Sequence, residues 1–390
     1  MTQPFTKRNK VSLVCNGDEF VDTCCRLVGE ASEKVLFHTY AFEVDDITQP
    51  FIDALLRKGG EGVPVYMIID AFGSGEISSK LKKRFAQSNI HFCYFAPFIS
   101  KRLENIGRRL HQKVLVIDNN KALVGGINHG RLFIKPQDGT PWLDYAALLE
   151  GEEVFRLQKK VSRLYQRYFP EQWWRLKNLI GKVDSPPQGN VLVRTNVNDF
   201  MRFRSEIYRS QLRAIRTAKV SVQLFATYFL PGKKLLKELK RAVRRGVAVE
   251  LIFGAYSDHP TERWSSKYLY NWYLKNDITV YEWNKSVIHG KVALIDGQWV
   301  TIGSYNHNHL SRYINLELNL EIWDKEFADH IADEIARIKQ QCIEITEDDW
   351  RENTTVLQSL LYLGTYMLAN MMGLISTLLI IRRKKSRFNG

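Results

Sequence analysis

Two stretches of the sequence, HQKVLVIDNNKALVGGIN (residues 111–128) and HGKVALIDGQWVTIGSYN (residues 289–306), repeat one pattern. Each has a histidine, a lysine two positions later, an aspartate seven positions later and an asparagine seventeen positions later. A single copy would be compatible with an ordinary surface strand. A second copy with identical spacing indicates an internal duplication, and it makes the repeated residues the first candidates for a functional site.

The first eight residues of each copy are typical of a β-strand. Residues two apart on a strand point to one face, so His111 should project with Lys113, and His289 with Lys291. The aspartates, Asp118 and Asp296, fall where each strand ends. Asparagines 128 and 306 should return a polar amide towards the histidine after a turn.

Related by a pseudo-twofold axis, the two histidine–lysine pairs would face one pocket. The expected ligand is a single phosphate diester, because ammonium groups and asparagine amides bind phosphate oxygens. One imidazole can attack phosphorus while the other protonates the leaving oxygen. The lysines would stabilise the developing charge, so neither a metal ion nor another cofactor is expected.

The duplication extends beyond the motifs. In each half the sequence predicts a strand, an amphipathic helix and a buried strand before the motif, and a further strand after it. In the first half these elements are residues 33–44, 47–62, 63–75 and 142–151. In the second half they are residues 218–232, 233–246, 247–258 and 314–324. Gly62 and Gly246 should end the two helices. Alternating strands and helices predict an α/β fold of two related halves, each a central mixed sheet flanked by helices. We predict the halves at residues 10–182 and 191–345, with a linker at 183–190.

Composition narrows the class of protein. The 390-residue chain is 45% hydrophobic, enough for two globular domains, and its formal net charge is +14. That charge favours an anionic partner, either nucleic acid or an anionic membrane. The five cysteines include no CxxC pair, which argues against a zinc site or a disulfide framework. The N-terminal residues lack the apolar core of a signal peptide.

The C-terminal sequence differs from the rest. Residues 353–381 carry no charge and are mostly apolar, and residues 382–390 form a basic tail. We predict a hydrophobic, membrane-associated helix; a helix packed on the body or buried in a dimer is the alternative. A helix lying in the interface, or a hairpin bent near residues 370–373, would keep the basic tail and the body on the cytoplasmic side.

The paired motifs resemble the signature of the phospholipase D superfamily, and the surrounding segments resemble bacterial cardiolipin synthases over about residues 10–345. Among these the chain is most similar to the B-type, which lacks two N-terminal transmembrane helices. The resemblance implies that a phosphatidyl group passes from phosphatidylglycerol to a histidine and then to a second phospholipid headgroup. It further implies that His111 is the nucleophile and His289 the general acid; the nearly symmetric sequence does not assign them.

The resemblance also assigns the remaining site residues. Lys113, Lys291, Asn128, Asn306 and Ser304 would hold phosphate. Asp144 and Glu317 match the acids that orient a catalytic histidine. The motif includes Asp118 and Asp296 in the catalytic set, although a role in supporting the strand ends is expected for both. The sequence departs from the family pattern at Gly126, where the second copy has Ser304, and at Leu143, where many relatives have arginine.

Other functions remain open at this level. A hydrolase of the same fold, either a phospholipase or a nuclease, would use the same pocket, and a silent lipid-binding scaffold is a further alternative. The basic run at residues 233–245 has leucines at helical spacing, which favours a packed helix with a solvated basic face over a nucleic-acid groove. Residues 170–182, with two tryptophans among cations, suit an interfacial helix or a docking helix. We therefore expect phospholipids and an anionic membrane as partners, no nucleic acid, and a location at the bacterial inner membrane.

Overall fold

The computed structural model describes residues 3–97, 108–136, 138–181, 189–199, 202, 204–225 and 227–386, with side chains of the last helix as far as Ile375. The chain divides into two compact units. The first unit comprises Met1–Val197, Ile302–Ser304 and Glu317–Trp323, and the second unit comprises Asn198–Thr301, Tyr305–Leu316 and Asp324–Gly390.

Strands and helices alternate along the chain, as predicted. As far as Leu179 the elements are β1 (Asn9–Cys15), α1 (Asp18–Glu30), β2 (Val35–Thr39), α2 (Gln49–Gly60), β3 (Val65–Asp70), α3 (Ser79–Gln87), β4 (Ile90–Phe95), β5 (Lys113–Ile117), β6 (Lys121–Gly125), α4 (Arg131–Ile134), β7 (Tyr145–Gly151), α5 (Glu152–Tyr168) and α6 (Trp173–Leu179).

The elements that follow are β8 (Leu192–Asp199), β9 (Arg204–Ser205), α7 (Glu206–Thr217), β10 (Ser221–Phe225), α8 (Lys233–Arg244), β11 (Ala248–Gly254), α9 (Pro260–Lys267), α10 (Tyr270–Leu274), β12 (Thr279–Trp283), β13 (Val292–Ile295), β14 (Trp299–Gly303), α11 (His309–Tyr313), β15 (Glu317–Trp323), α12 (Lys325–Lys339), β16 (Cys342–Ile345), α13 (Glu347–Asn353) and α14 (Val356–Ser386).

The first unit contains a seven-stranded mixed sheet in the order β1-β7-β6-β5-β2-β3-β4. Strands β2, β3 and β4 are parallel, and α2 and α3 form the crossovers between them. The motif strand β5 is antiparallel to β2. Every residue of β2, β3 and β5 is buried, as expected for strands that are covered on both faces.

The second unit repeats this arrangement. Strands β10, β11 and β12 are parallel, α8 connects the first two, and the motif strand β13 is antiparallel to β10. Strand β16 pairs antiparallel with the outer side of β12. The predicted α/β fold of two related halves with mixed sheets is therefore confirmed.

The two matching helices also follow the prediction. In α8, Leu235, Leu239 and Ala242 are buried while most of the lysines and arginines are exposed, which is the packed helix with a solvated basic face. Gly62 and Gly246 have φ angles of +97° and +85°, and each lies two residues beyond its helix. Glycine adopts this left-handed conformation without a Cβ penalty, so it ends a helix well.

The division into units differs from the predicted boundary at residue 191. Most of β8 belongs to the first unit, together with β15. Arg194 on β8 and Glu321 on β15 form a buried bidentate ion pair, with Nη2 and Oε2 2.6 Å apart. Strands β8 and β15 are also neighbours in one sheet, so they stay together although they are far apart along the chain. The predicted linker lies largely outside the described residues, since 182–188 are not described.

The C-terminal apolar segment is a helix, α14, that packs on the second unit along one side. Tyr366 stacks on Tyr268 with ring centroids 4.5 Å apart, and Tyr362 stacks on Trp350. The hairpin predicted near residues 370–373 is wrong, because α14 continues through these residues without a break. In the part of the chain that the structure describes, no helix combines the length and apolar character needed to cross a membrane.

Candidate active site

Each repeated histidine–lysine pair lies at the start of a buried strand. Lys113 is the first residue of β5, and Lys291 directly precedes β13. In both pairs the lysine ammonium turns back to donate to the carbonyl oxygen of its own histidine: Lys113 to His111 at 2.8 Å, and Lys291 to His289. All four side chains are buried. Each unit thus holds a buried cation beside an imidazole, a setting that favours an anionic ligand.

A carboxylate orients His111. Its Nδ1 lies 2.9 Å from Oε2 of Glu317 and 3.1 Å from the carbonyl oxygen of Ser304, all within the first unit. Both partners are acceptors, so Nδ1 carries the proton. The lone pair of the neutral ring then lies on Nε2, which is the atom that could attack phosphorus. The acid predicted to orient a histidine thus contacts the histidine of the other repeat.

The buried Glu317 carboxylate is held ionised by its neighbours. Burial alone would raise its pKa, but the charge and hydrogen bond of His111, the charge of Lys113 and the hydroxyl of Ser304 together hold the pKa below the usual range. The Ser304 hydroxyl donates to Glu317 at 2.5 Å and accepts from the Leu318 amide at 3.1 Å. Its one hydroxyl hydrogen thus serves the carboxylate, and the phosphate contact of Ser304 stays a prediction.

The corresponding acid of the first repeat is Asp144. It is buried, and its Oδ1 accepts from the amide of Tyr145 at 2.8 Å. A Cβ at Gly126 would lie 2.4 Å from that same Oδ1. Gly126, which occupies the place of Ser304 in the other copy, therefore leaves the space that Asp144 fills.

Two tyrosines that the sequence analysis missed lie beside the histidines. The Tyr40 ring is 5.1 Å from the His111 ring, and the Lys113 ammonium lies 5.2 Å from the Tyr40 centroid. In the second unit the Tyr228 ring is 6.2 Å from the His289 ring. Both tyrosines follow a threonine just beyond β2 or β10, so the repeated Thr-Tyr pair was the available signal.

The two predicted asparagines are buried near the motif of their own unit. Oδ1 of Asn128 accepts from the amide of Ala41, next to Tyr40, at 3.2 Å. This contact leaves the amide NH2 of Asn128 as a donor for an anion. Oδ1 of Asn306 is buried and has no hydrogen-bond partner among the described residues. A polar atom buried in this way is uncommon away from ligand sites.

Asp118 and Asp296 do not belong with the catalytic residues. Asp118 follows the far end of β5, and a strand rise of about 3.3 Å per residue puts it roughly 15–20 Å from the histidine end. Its carboxylate accepts from the amides of Ser32, Glu33 and Lys34 at 2.8–3.2 Å.

Asp296 binds the amides of Lys219, Val220 and Ser221 in the same way, at 2.8–3.1 Å. Both aspartates have positive φ, of +50° and +53°. Each therefore joins the end of its motif strand to the chain entering the neighbouring strand, which agrees with the role in supporting the strand ends that was expected for both.

Several other histidines are core residues. Burial lowers the pKa of His129 to about 3 and that of His307 to about 4. The His129 ring packs among Phe20, Phe37 and Phe51 at centroid distances of 4.9–5.2 Å. Within the described residues, no group of three or more histidine, cysteine or acidic side chains is arranged to hold a metal ion.

Comparison with protein families matches residues 24–135 and 212–339 to the family described as cardiolipin synthase, PLD-like domain. The chain belongs to this family. Each matched stretch contains one copy of the histidine–lysine pair. Membership makes the chain an enzyme that transfers phosphate-containing groups.

Individual relatives agree with this assignment. Cardiolipin synthase B of Escherichia coli is 31% identical over 345 residues, which cover 87% of this chain and 83% of that protein. Cardiolipin synthase 1 of Staphylococcus epidermidis is 25% identical over 88% of this chain and 70% of its own. The crystal structure of phosphatidylserine synthase from Haemophilus influenzae matches with a TM-score of 0.72 at 13% identity, over 97% of this chain and 96% of that one, a likeness that concerns the fold alone.

Replacing Asp118 by alanine should destabilise this cardiolipin synthase family member without removing its chemistry. Three backbone amides would lose their acceptor, and alanine tolerates positive φ poorly, so we expect a loss of about 2–4 kcal/mol in the free energy of unfolding. Asp118→Asn should lose less, because it keeps one acceptor oxygen and tolerates that φ. Urea unfolding and transfer activity per folded molecule measure the two effects. Unchanged stability with lost activity would contradict the structural role.

Replacing Glu317 by glutamine should lower kcat on the order of 10²–10⁴-fold. A glutamine amide can donate to Nδ1 of His111 and so move the proton to Nε2, which removes the nucleophilic lone pair. Because the pKa of Glu317 is lowered, the wild-type carboxylate should stay ionised across neutral pH. Steady-state kinetics, with circular dichroism to check folding, provide the measurement. Glu326→Gln, an exposed glutamate on α12, is the control; equal kcat in both variants would refute the orienting role.

Replacing Gly126 by alanine should displace Asp144, because the added Cβ would overlap Oδ1. A shift of about 1 Å at a catalytic site can lower turnover about 100-fold. Gly60→Ala is the matched control, since a Cβ there meets nothing within 4 Å and alanine favours the helix. Transfer rates and thermal melting should show lost turnover only for Gly126→Ala. Full activity in that variant would mean that the position of Asp144 is unimportant.

Proposed function

We propose that this enzyme transfers a phosphatidyl group from phosphatidylglycerol to the headgroup of a second phospholipid, as the name of its cardiolipin synthase relatives suggests. The observation that carries the proposal is the contact between Glu317 and Nδ1 of His111, which gives the neutral ring a nucleophilic Nε2. The buried Lys113 ammonium and the Asn128 amide in the same unit suit the anionic phosphodiester that this nitrogen would attack.

In the proposed first step, Nε2 of His111 attacks phosphorus and the bond from phosphorus to the glycerol oxygen breaks. His289 gives its proton to that oxygen, so glycerol leaves as a neutral alcohol and phosphatidyl-histidine remains. Lys113, Lys291, Asn128 and Asn306 would bind the non-bridging oxygens and stabilise the charge that develops on them. Placing all of these groups at one phosphodiester is part of the proposal.

In the second step a hydroxyl of the acceptor lipid replaces glycerol. His289, now neutral, takes the hydroxyl proton as that oxygen attacks phosphorus, and the bond to His111 breaks. Both imidazoles return to their starting protonation states, so the cycle closes without another proton donor. Water entering in place of the lipid hydroxyl would give phosphatidic acid, which is the hydrolase alternative.

We further propose that the enzyme works at an anionic membrane, namely the bacterial inner membrane. Its formal net charge of +14 favours anionic lipid. On α14 ten large apolar residues are exposed between Val356 and Ile375. A cluster of five cations lies at residues 382–387, directly after this apolar stretch. Apolar surface next to clustered cations is the combination that binds lipid headgroups and chains together.

Purified enzyme given phosphatidylglycerol labelled in its phosphate should form labelled cardiolipin and release glycerol. His111→Ala and His289→Ala should each lower the rate at least about 10²-fold. His330→Ala, which changes an exposed histidine on α12, is the matched control and should retain full activity. Acid-labile label on protein during single-turnover reaction, absent in His111→Ala, would identify the phosphohistidine.

Other outcomes would reject the proposal. Phosphatidic acid as the sole lipid product would make the enzyme a phospholipase. Cleavage of DNA without lipid turnover would make it a nuclease. Near-normal rates in both histidine variants would refute the two-histidine chemistry.

A further inference from the structure

A cleft in the second unit lies between α9, α11 and α14, with a volume of about 230 Å³. Leu230, Leu310, Leu368, Ala369 and Met372 form most of its apolar wall. This volume lies below the range of about 300–1,000 Å³ that is common for pockets of whole drug-sized ligands. The size and lining therefore suit a single flexible hydrocarbon chain.

Helix α14 supplies one side of this cleft and is held close to α11 at one end. A Cβ on Gly373 would lie 2.5 Å from the ring of His309, so only glycine permits this approach. The matched family residues end at 339, so α14 lies outside them. The cleft is thus a feature that family membership does not explain.

Two segments that line the cleft follow residues of the second motif site closely along the chain. The wall residues Asn308 and Leu310 follow the predicted phosphate ligand Asn306 by two and four positions. Leu230 lies two residues beyond Tyr228, which contacts His289, and its amide donates to the carbonyl oxygen of His307 at 3.0 Å, so the two segments are joined. The cleft is therefore built on the segments that lead away from the residues proposed to bind phosphate.

The polar groups of the cleft are held in apolar surroundings. Oε2 of Glu262 on α9 and Nδ1 of His309 on α11 are buried and have no hydrogen-bond partner among the described residues. Burial raises the pKa of Glu262 to about 7 and lowers that of His309. Both shifts favour the neutral forms, which are the forms compatible with a hydrocarbon ligand.

We propose that this cleft binds an acyl chain of the phospholipid substrate, so that α14 forms part of the substrate site. The assignment of this acyl chain to the phospholipid substrate rests on the proposed phosphatidyl transfer. The leucine, alanine and methionine side chains of the wall favour a hydrocarbon chain over a polar headgroup, and the outer face of α14 exposes Met367, Met371 and Leu374. With the cations of residues 382–387, this surface fits a lipid better than a protein segment.

Substituting Ala369 by tryptophan should fill the cleft, whereas Ile343→Trp adds the same side chain at an exposed position of β16 that does not line the cleft. Both are made in the full-length His111→Ala protein to prevent turnover. Isothermal calorimetry would use dioctanoyl phosphatidylglycerol and the chain-free glycerophosphoglycerol as probes. We expect Ala369→Trp to weaken dioctanoyl phosphatidylglycerol binding at least about tenfold, since several methylene groups lose their burial, and to leave the chain-free probe unaffected.

Ile343→Trp should leave the binding of both probes unchanged. Ala369→Trp protein that binds dioctanoyl phosphatidylglycerol normally would overturn the proposal. An equal loss for both probes would also overturn it, because it would indicate a distorted headgroup site. Melting temperatures of the two tryptophan variants check that both fold.

A second variant tests the cleft without filling it. The affinity for dioctanoyl phosphatidylglycerol should fall as pH rises through about 7, because ionised Glu262 would have to be desolvated beside the chain. The other titratable groups near Glu262 are Asp258 and His259, which precede α9, and His309, which faces the cleft from α11. The α14 residues that line the cleft are uncharged. Glu262→Gln should abolish most of this pH dependence. An unchanged pH profile in that variant would count against the acyl-chain site.

The acyl-chain site and the transferase can fail separately. If Ala369→Trp abolishes binding of the acyl chain but the enzyme makes no cardiolipin, the acyl-chain site stands and the transferase proposal is rejected. If an otherwise wild-type Ala369→Trp protein forms cardiolipin normally, with an unchanged KM for dioctanoyl phosphatidylglycerol, the transferase proposal stands and the acyl-chain site is rejected.

Discussion

The hydrogen bond between the Glu317 carboxylate and Nδ1 of His111 is the contact on which the chemistry of the site depends. A fully buried carboxylate is tolerated only when neighbouring charges and donors compensate it, and here His111, Lys113 and Ser304 do so. The same contact fixes the imidazole tautomer. Because Glu317 comes from the second repeat, the first histidine–lysine pair is incomplete without a residue more than 200 positions away in the sequence.

The two repeats differ at this contact in two residues whose differences compensate each other. Where the second repeat has Ser304 with the longer Glu317, the first has Gly126 with the shorter Asp144. In one pair the serine hydroxyl donates to the carboxylate, and in the other the carboxylate occupies the space of the missing side chain. Each combination fills a buried site next to a motif strand, as close packing requires. A change in one member therefore constrains the other.

Much of the fold was predictable because the duplication repeats local patterns. The strand–helix–strand order, the motif strands and the helix-ending Gly62 and Gly246 were all confirmed by the structure. The partner of Glu317 was not predictable, because spacing along the chain does not say which strands lie side by side. Strand support by Asp118 was expected, whereas the hydrogen bond from Ser304 to Glu317 was not, because a repeated offset identifies a residue but only its hydrogen-bond partners distinguish support from chemistry. Tyr40 and Tyr228 were missed because the Thr-Tyr pairs lie outside the two repeated motifs.

The sequence of α14 could not decide its own environment. A helix that is apolar on all sides is typical either of a protein core or of a bilayer, and its pattern contains no polar face to orient it. In the structure, one side of α14 packs on the protein, because Tyr362 and Tyr366 stack on aromatic rings of the second unit. Ten large apolar residues of α14 remain at least 42% exposed. Apolar surface of this extent is unfavourable in water and marks an interaction site. Since residues 382–387 carry five positive charges, an anionic lipid surface satisfies both the hydrophobic and the electrostatic requirement at once.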